Sequence, residues 1–436
     1  MLMNRTTCTA LLALAFPIFA ASPALAQLID LPTARNVDSL FGRSRPDAPQ
    51  QLDLLVTSLG GYDASLGPAA PAIAGAAAQD SASFGTFAET VSYERHLQTT
   101  SFSLVQSSNV RYYGGGGETM GVQHAAGGGL QTQVGRHSFV SLSQSIAYIP
   151  FYTYSALPQL YAPDLAPMIG TGPSDLLVQQ RQYFMSSTMG TFRSELGART
   201  TFTMAGHYER TDFMHENSGS QNGGADARLS FGLTKSLSLV TGYGLYQALY
   251  RSPGEDLRTR EHNIDVGLMF NRPLSLSRHT TVAFTSGTTA LQSSTGSTQL
   301  YVTVDARLNH EVGRSWQATA AYHRGVQYIE GVNGPMFGDA LSVSFGGSPS
   351  RRVSIAMVGG YSLNTIALSA ASSGRDRMAS ASSRVHIALS HQAALTAEYV
   401  YYHYGDAFLI APGLPLQVSR QGLRIGVDFF CPLLRN

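Results

Sequence analysis

The sequence predicts an all-β protein, an up-and-down antiparallel barrel of about eighteen strands that crosses a membrane; sixteen to eighteen strands fit the pattern. Three observations support this fold class. Apolar and polar residues alternate with a period of two, short and long connections alternate along the chain, and an export signal opens it.

The two-residue alternation is clearest in LYVTVDARLN at 300–309, where Leu, Val, Val, Ala and Leu are separated by mostly polar residues. The same pattern recurs at 225–234, 263–270, 384–390 and 423–429. Because successive side chains of a strand point to opposite sides, each segment has one apolar and one polar face. A closed barrel satisfies this pattern, since lipid meets the apolar face and water the polar face. A soluble exported β protein is the alternative.

The connections between these segments are of two kinds. Short turns fall at places such as 134–137 and 311–315, whereas long segments rich in Gly, Ser and Pro fall at places such as 150–178 and 405–417. Outer-membrane barrels have short periplasmic turns and longer extracellular loops. We therefore expect the barrel to cover 51–430.

The two ends of the chain fall outside this alternation. Residues 1–26 carry one Arg, a short apolar run and an A-x-A site before Gln27, which together predict a secretory signal peptide. We expect 27–50 to be a periplasmic N-terminal segment and 431–436 to be a C-terminal tail. An exported barrel of this kind belongs in the outer membrane of a Gram-negative bacterium.

The charge balance and the absence of motifs exclude several functions. Without the predicted signal peptide and its Arg5, 28 basic residues face 28 acidic ones, so a nucleic-acid partner is not expected. No G-x-S-x-G, Walker, H-E-x-x-H or C-x-x-C motif occurs, and we predict no catalytic residues, no cofactor, no metal and no enzyme activity. A barrel enzyme acting on lipids would need Ser or His facing the membrane, whereas His207, His323 and His386 fall on the inward parity.

In the clearest strands, the alternate residues that face the barrel interior include both acidic and basic side chains. An eighteen-stranded barrel is too wide for side chains to fill, so a water-filled lumen follows unless something plugs it. A wall of mixed sign suits neutral or weakly charged hydrophilic solutes. The residues predicted to line this pore are Asp226, Arg228, Asp265, Asp305, Arg307, Arg384, His386, Glu398, Arg424 and Asp428.

Two further features stand out. The longest connection, 151–177, carries four prolines and several aromatic residues, and we expect it to fold over the mouth and restrict passage. Glu89 falls on the outward parity of its strand, for which we expect a β-bulge. The aromatic residues of the predicted gating loop are Phe151, Tyr152, Tyr154 and Tyr161.

Three stretches carry a resemblance to a known group: the signal, SLGGYDASLG at 58–67 and GLRIGVDFF at 422–430. With them the chain resembles Gram-negative outer-membrane barrels of the porin type, and among those the barrels of about eighteen strands associated with exopolysaccharide secretion. The resemblance implies contact with outer-membrane lipid, recognition of the last strand by the barrel-assembly machinery, and a periplasmic polysaccharide-export partner. The chain departs from the group by continuing past Phe430 to Asn436.

These observations leave three functions open. The first is a channel for hydrophilic, saccharide material, with exopolysaccharide export as one form of it. The second is a general diffusion porin. The third is an outer-membrane barrel enzyme or a surface structural or adhesion protein.

Overall fold

A computed structural model gives the fold. It describes 49–65, 81–114, 119–150, 182–235, 237–252, 256–270, 279–294, 296–313, 315–329, 332, 334–368, 375–405 and 417–435. The predicted signal peptide, almost all of the predicted N-terminal segment and the predicted gating loop with Phe151, Tyr152, Tyr154 and Tyr161 lie outside the described residues. No helix among the described residues is long and apolar enough to cross a membrane.

The described chain forms eighteen β-strands in one sheet. Each strand pairs antiparallel with its neighbours in sequence, and β1 also pairs with β18, so the sheet closes into a barrel. This confirms the fold class and the strand number. The strands are β1 Gln50–Ser65, β2 Ser81–His96, β3 Thr100–Gly114, β4 Thr119–Gln133, β5 Ser138–Ile149, β6 Tyr183–Gly197, β7 Thr200–Phe213, β8 Gly219–Gly232, β9 Leu237–Arg251, β10 Leu257–Phe270, β11 Thr280–Ser293, β12 Thr298–Val312, β13 Trp316–Gln327, β14 Met336–Ser350, β15 Val353–Ile366, β16 Asp376–Ala388, β17 Ala393–Gly405 and β18 Gln417–Arg435.

The two ends of the barrel differ in their connections. At one end lie the start of β1, the end of β18 and mostly short turns, such as those between β2 and β3 and between β14 and β15; we call it the turn end. At the other end lie the longer connections, including 150–182 and 406–416; we call it the loop end. The alternation of short and long connections predicted from the sequence therefore sorts them onto opposite ends.

The outward face is apolar over most of its height. Strand register places Val302, Val343 and Ile425 on one face of the wall, and each is about half exposed. Trp316 stacks on Phe345 near the turn end with ring centroids 4.9 Å apart, and Tyr62 and Tyr112 are exposed near the loop end. Aromatic residues at both borders of an apolar band are the arrangement expected of a lipid-facing wall.

The C-terminal boundary differs from the prediction. Residues 431–435, expected to be a tail, continue β18 and pair with β1, where Cys431 lies opposite Leu54 and Arg435 opposite Gln51. The register shifts between Leu52 and Asp53, beside Pro432. A bulge accommodates a proline, which has no backbone N–H to donate. The strand extends because β1 offers unpaired backbone groups down to its first residue.

Candidate functional site

The inward face of the barrel carries the polar groups that could contact a solute. Tracing the cross-strand pairs around the closed sheet puts all ten charged residues selected from the sequence on this face, opposite the exposed apolar side chains. They are not spread evenly. The structure groups them into separate clusters on two parts of the wall.

The first cluster joins three adjacent strands, β16 to β18. The Arg384 Nη2 atom lies 2.7 Å from Glu398 Oε1, and Arg424 Nη1 lies 3.4 Å from Glu398 Oε2. The Arg424 and Arg111 guanidinium groups also lie over the Phe84 ring, 5.4 and 5.5 Å from its centroid. Glu398 and Arg424 are each only 1% exposed. The ion pairs between this carboxylate and its two arginines are therefore shielded from bulk water.

The second cluster lies closer to the turn end on the same strands. His386 Nδ1 is 3.2 Å from Asp428 Oδ2, and it is 3.0 Å from the Thr396 hydroxyl. Thr57 of β1 donates a hydrogen bond to Asp428 Oδ1 at 2.7 Å. Thr396 also donates to Asp428. These bonds cross the β1–β18 closure, so Asp428 ties the last strand to the first.

The third cluster lies on β8 and β10. Arg228 is placed between Asp226, at 3.5 Å, and Asp265, at 3.8 Å. Asn263 donates to the Asp265 carboxylate at 3.1 and 3.2 Å. The Arg228 side chain is 53% exposed, which leaves it able to contact a solute.

Asp305 and Arg307, two residues apart on β12, do not pair with each other. Asp305 accepts from His323 of β13, with 2.6 Å between Oδ1 and Nδ1, while Arg307 donates to Asn309 at 3.3 Å. Cross-strand neighbours are closer than neighbours along one face of a strand. The Asp305 side chain is 55% exposed, so the open part of the charged wall lies on β8 to β13.

A band of apolar residues on the inward face was not predicted. One packed cluster contains residues from β5 to β7, from β14, and from β16 and β17, which lie on well-separated arcs of the wall, together with two residues of the β13–β14 connection. We call it the neck. Its members are Ala147, Ile149, Tyr183, Met185, Phe213, Ile329, Val332, Met336, Met378, Val400, Tyr402 and Tyr404.

The β13–β14 connection supplies the residues that join the arcs of the neck. Ile329 is 7% exposed and Val332 is 2% exposed. Tyr328 donates a hydrogen bond to Glu261 Oε2 of β10 at 2.7 Å, and Thr289 donates to Glu261 Oε1 at 3.0 Å. Burial and the neighbouring Glu261 carboxylate raise the pKa of Tyr328 above its usual range, so this phenol stays a donor. The connection therefore reaches from β13 to the β10 wall.

A recess indents the inward wall near the turn end of β5 and β6. It has a volume of about 380 Å³. Phe139 supplies an aromatic surface, and Arg193 and Glu195 supply charges of opposite sign. Hydroxyl and amide groups complete a lining of the kind that could hold a small polar molecule. The remaining lining residues are Gln131, Val140, Ser141 and Thr191.

Sequence reasoning missed the neck because it read apolar residues as outward. Tyr402 and Tyr404 fall on the inward parity of β17, two and four residues beyond Val400. The neck could have been predicted from apolar residues at inward-facing positions near the loop end of several strands. The contribution of Ile329 and Val332 was not predictable, because a connection has no periodicity.

Neither a search for metal sites nor comparison with known sequences identifies further functional residues. Within the described ranges, no group of three or more His, Cys, Asp or Glu side chains could hold a metal ion. No protein-family model matches the chain. No curated protein matches it either.

Three solved structures are similar to this chain at low identity. OpdQ of Pseudomonas aeruginosa is 11% identical, with 88% of this chain and 98% of that chain covered and a TM-score of 0.42. OccAB4 of Acinetobacter baumannii is 9% identical, with 89% and 100% covered and a TM-score of 0.44. The siderophore receptor PirA of P. aeruginosa is 9% identical, with 87% and 80% covered and a TM-score of 0.41. The strand register, and not these similarities, defines the fold here.

Proposed function

We propose that this chain is an outer-membrane channel for hydrophilic solutes. The observation that carries the proposal is the opposite character of the two faces around a closed barrel. The outward face carries exposed apolar side chains and the inward face carries the charged clusters. A barrel that crosses lipid and encloses water needs this distribution.

The position of the charges suggests two roles for the wall. On β16 to β18 the buried group of Arg384, Glu398 and Arg424 braces the barrel. On β8 to β12 the exposed Arg228 and Asp305 contact the solute path. Opposite charges along this path give weak selection for a net charge, and neutral hydrophilic solutes fit it best.

The neck favours a selective conduit over a general diffusion porin. A diffusion porin needs an unobstructed lumen, whereas Ile329 and Val332 pack between separate arcs of the inward wall. Apolar constrictions gate passage by excluding water. The 151–177 segment, which we also propose as a gate at the loop end, would act in series with the neck.

Saccharide is the solute class that the inward wall supports best. The β5–β6 recess combines the exposed ring of Phe139 with hydrogen-bonding groups. Sugars present both a flat apolar face and hydroxyl groups, which such sites accommodate. Export of an exopolysaccharide, with a periplasmic partner contacting 27–50 and β18 read by the assembly machinery, is the specific form of this proposal.

Proteoliposome swelling tests the proposal. Refolded chain is placed in liposomes, which are then transferred to isosmotic glucose, maltose or potassium chloride. We expect both sugars to enter faster than they enter protein-free liposomes. No entry of sugar or salt would overturn the channel, whereas entry of salt without sugar would overturn only the saccharide specificity.

A further inference from the structure

A row of polar residues faces outward on β2 to β4. Strand register places Glu89 opposite Ser108, and Ser108 opposite His124. All three share the face of Phe87 and Leu104, which are 41% and 48% exposed. No register shift occurs in β2, so the bulge predicted at Glu89 is wrong and its carboxylate points away from the lumen.

Ser108 of this row has hydrogen-bond partners on two sides, Gln106 and His124. Gln106 Nε2 donates to Ser108 Oγ at 2.7 Å. Ser108 Oγ lies 3.0 Å from His124 Nδ1, a distance at which the hydroxyl can donate to the imidazole. A hydroxyl that donates to a histidine is the arrangement of an activated nucleophile. Ser108 is 4% exposed, and His124 and Gln106 are partly exposed beside it.

Glu89 lies on the other side of Ser108. Glu89 is 1% exposed, and its carboxylate lies within hydrogen-bonding range of the Ser108 hydroxyl. An ionisable group on a lipid-facing wall is costly and marks a functional site by default.

The height of the row matches the level of lipid headgroups. Ser108 is eight residues from the turn end of β3, or ~20 Å above it for a strand tilted by about 40°. The apolar band of such barrels is about 25 Å tall, so the row lies near its border at the loop end. Outward residues at the same distance on other strands are mixed, as at a border. Tyr208, His262, Arg324, Tyr361 and Tyr401 are aromatic or polar, whereas Ile146, Leu245, Val304 and Val427 are apolar.

We propose that Ser108 and His124 form a lipid-facing acyl-transfer site that cleaves ester-linked acyl chains of membrane lipids. Ser108 Oγ attacks the ester carbonyl carbon, and its proton passes to His124. The ester C–O bond breaks, and the leaving alcohol takes that proton. Water, deprotonated by His124, then cleaves the acyl-serine bond and releases the fatty acid, and the proton returns to Ser108. We assign stabilisation of the oxyanion to Gln106, whose Nε2 donates to Ser108 Oγ before the reaction.

Two readouts on the refolded full chain test this site. A fluorophosphonate probe should add one adduct to the wild type, measured by intact mass, and none to Ser108→Ala. Micelles containing diacyl phosphatidylethanolamine should release fatty acid, and His124→Ala should lower that rate by about 100-fold or more. Ser186→Ala, at an outward serine of β6 with no histidine opposite, should change neither readout.

Each variant is first shown to fold by its heat-modifiable migration in gels. An absence of both adduct and fatty-acid release in folded wild type would overturn the proposal. So would equal labelling and release in folded Ser108→Ala. Neither result bears on solute passage through the lumen, so the channel proposal is tested separately.

Discussion

At the scale of single residues, burial separates charged groups that look alike in the sequence. Glu398 and Asp305 occupy equivalent inward positions, but Glu398 is 1% exposed, while the Asp305 side chain is 55% exposed. Removing one partner from a buried ion pair leaves an uncompensated charge, whereas an exposed pair contributes little. The two carboxylates should therefore respond differently to the same substitution.

Glu398→Ala should destabilise the barrel by about 3–5 kcal/mol, because it leaves Arg384 and Arg424 without this carboxylate. Asp305→Ala, the matched control, should cost about 0–1 kcal/mol. Urea unfolding in detergent micelles, followed by intrinsic fluorescence, measures both. A cost for Glu398→Ala no greater than that of the control would contradict the bracing role.

Residue-level prediction from the sequence succeeded where the strand period decided the answer. The inward parity of Arg228 and Glu398 follows from alternation alone. Pair partners did not follow, because the register that brings His323 to Asp305 depends on how two strands align. The 1% exposure of Arg424 was also unpredictable, since it reflects packing inside the lumen and not the pattern of β18.

At the scale of elements, the β13–β14 connection is the feature that alters the lumen most. Its Tyr328 is fixed to Glu261 of β10, and Ile329 and Val332 pack in the neck. The connection spans 328–335 and is much shorter than 151–177, on which the sequence placed the gate. A hydrogen bond between a phenol and a carboxylate, made in a buried place, holds a connection in one position.

Tyr328→Phe should loosen the connection and increase the frequency of current fluctuations. The phenol–carboxylate bond to Glu261 is lost, while the ring that fills the space remains. Tyr322→Phe is the control, because Tyr322 also donates to a carboxylate, that of Asp339, but on the outward face. Single-channel recording compares the two. Identical current records for both variants and the wild type would contradict the role of Tyr328 in holding the connection in position.

Element boundaries were predictable from the alternation to within a few residues, except at the end of the chain. The expected tail at 431–436 rested on the terminal aromatic Phe430, and Pro432 locally disfavours a strand. The structure accommodates Pro432 at a register shift and continues to pair. Backbone pairing with β1 thus outweighs local sequence preference there.

At the scale of the whole molecule, the sequence predicted the closed barrel because the evidence was repeated in many segments. Each strand contributes one alternating pattern, and the sum determines the class even where single strands such as β6 are unclear. A lumen has no such repetition. Its shape depends on a few inward side chains and one connection, so the neck required the structure.

The central claim is that solutes pass through the lumen and that the neck restricts them. The most direct test is single-channel conductance in a planar bilayer for the refolded wild type and for Ile329→Gly/Val332→Gly. Val343→Ala, on the outward face, is the control. We predict a small wild-type conductance and a conductance several-fold larger in the double variant, with the control unchanged. Equal conductance in all three would contradict the neck, and no current in any of them would contradict the channel.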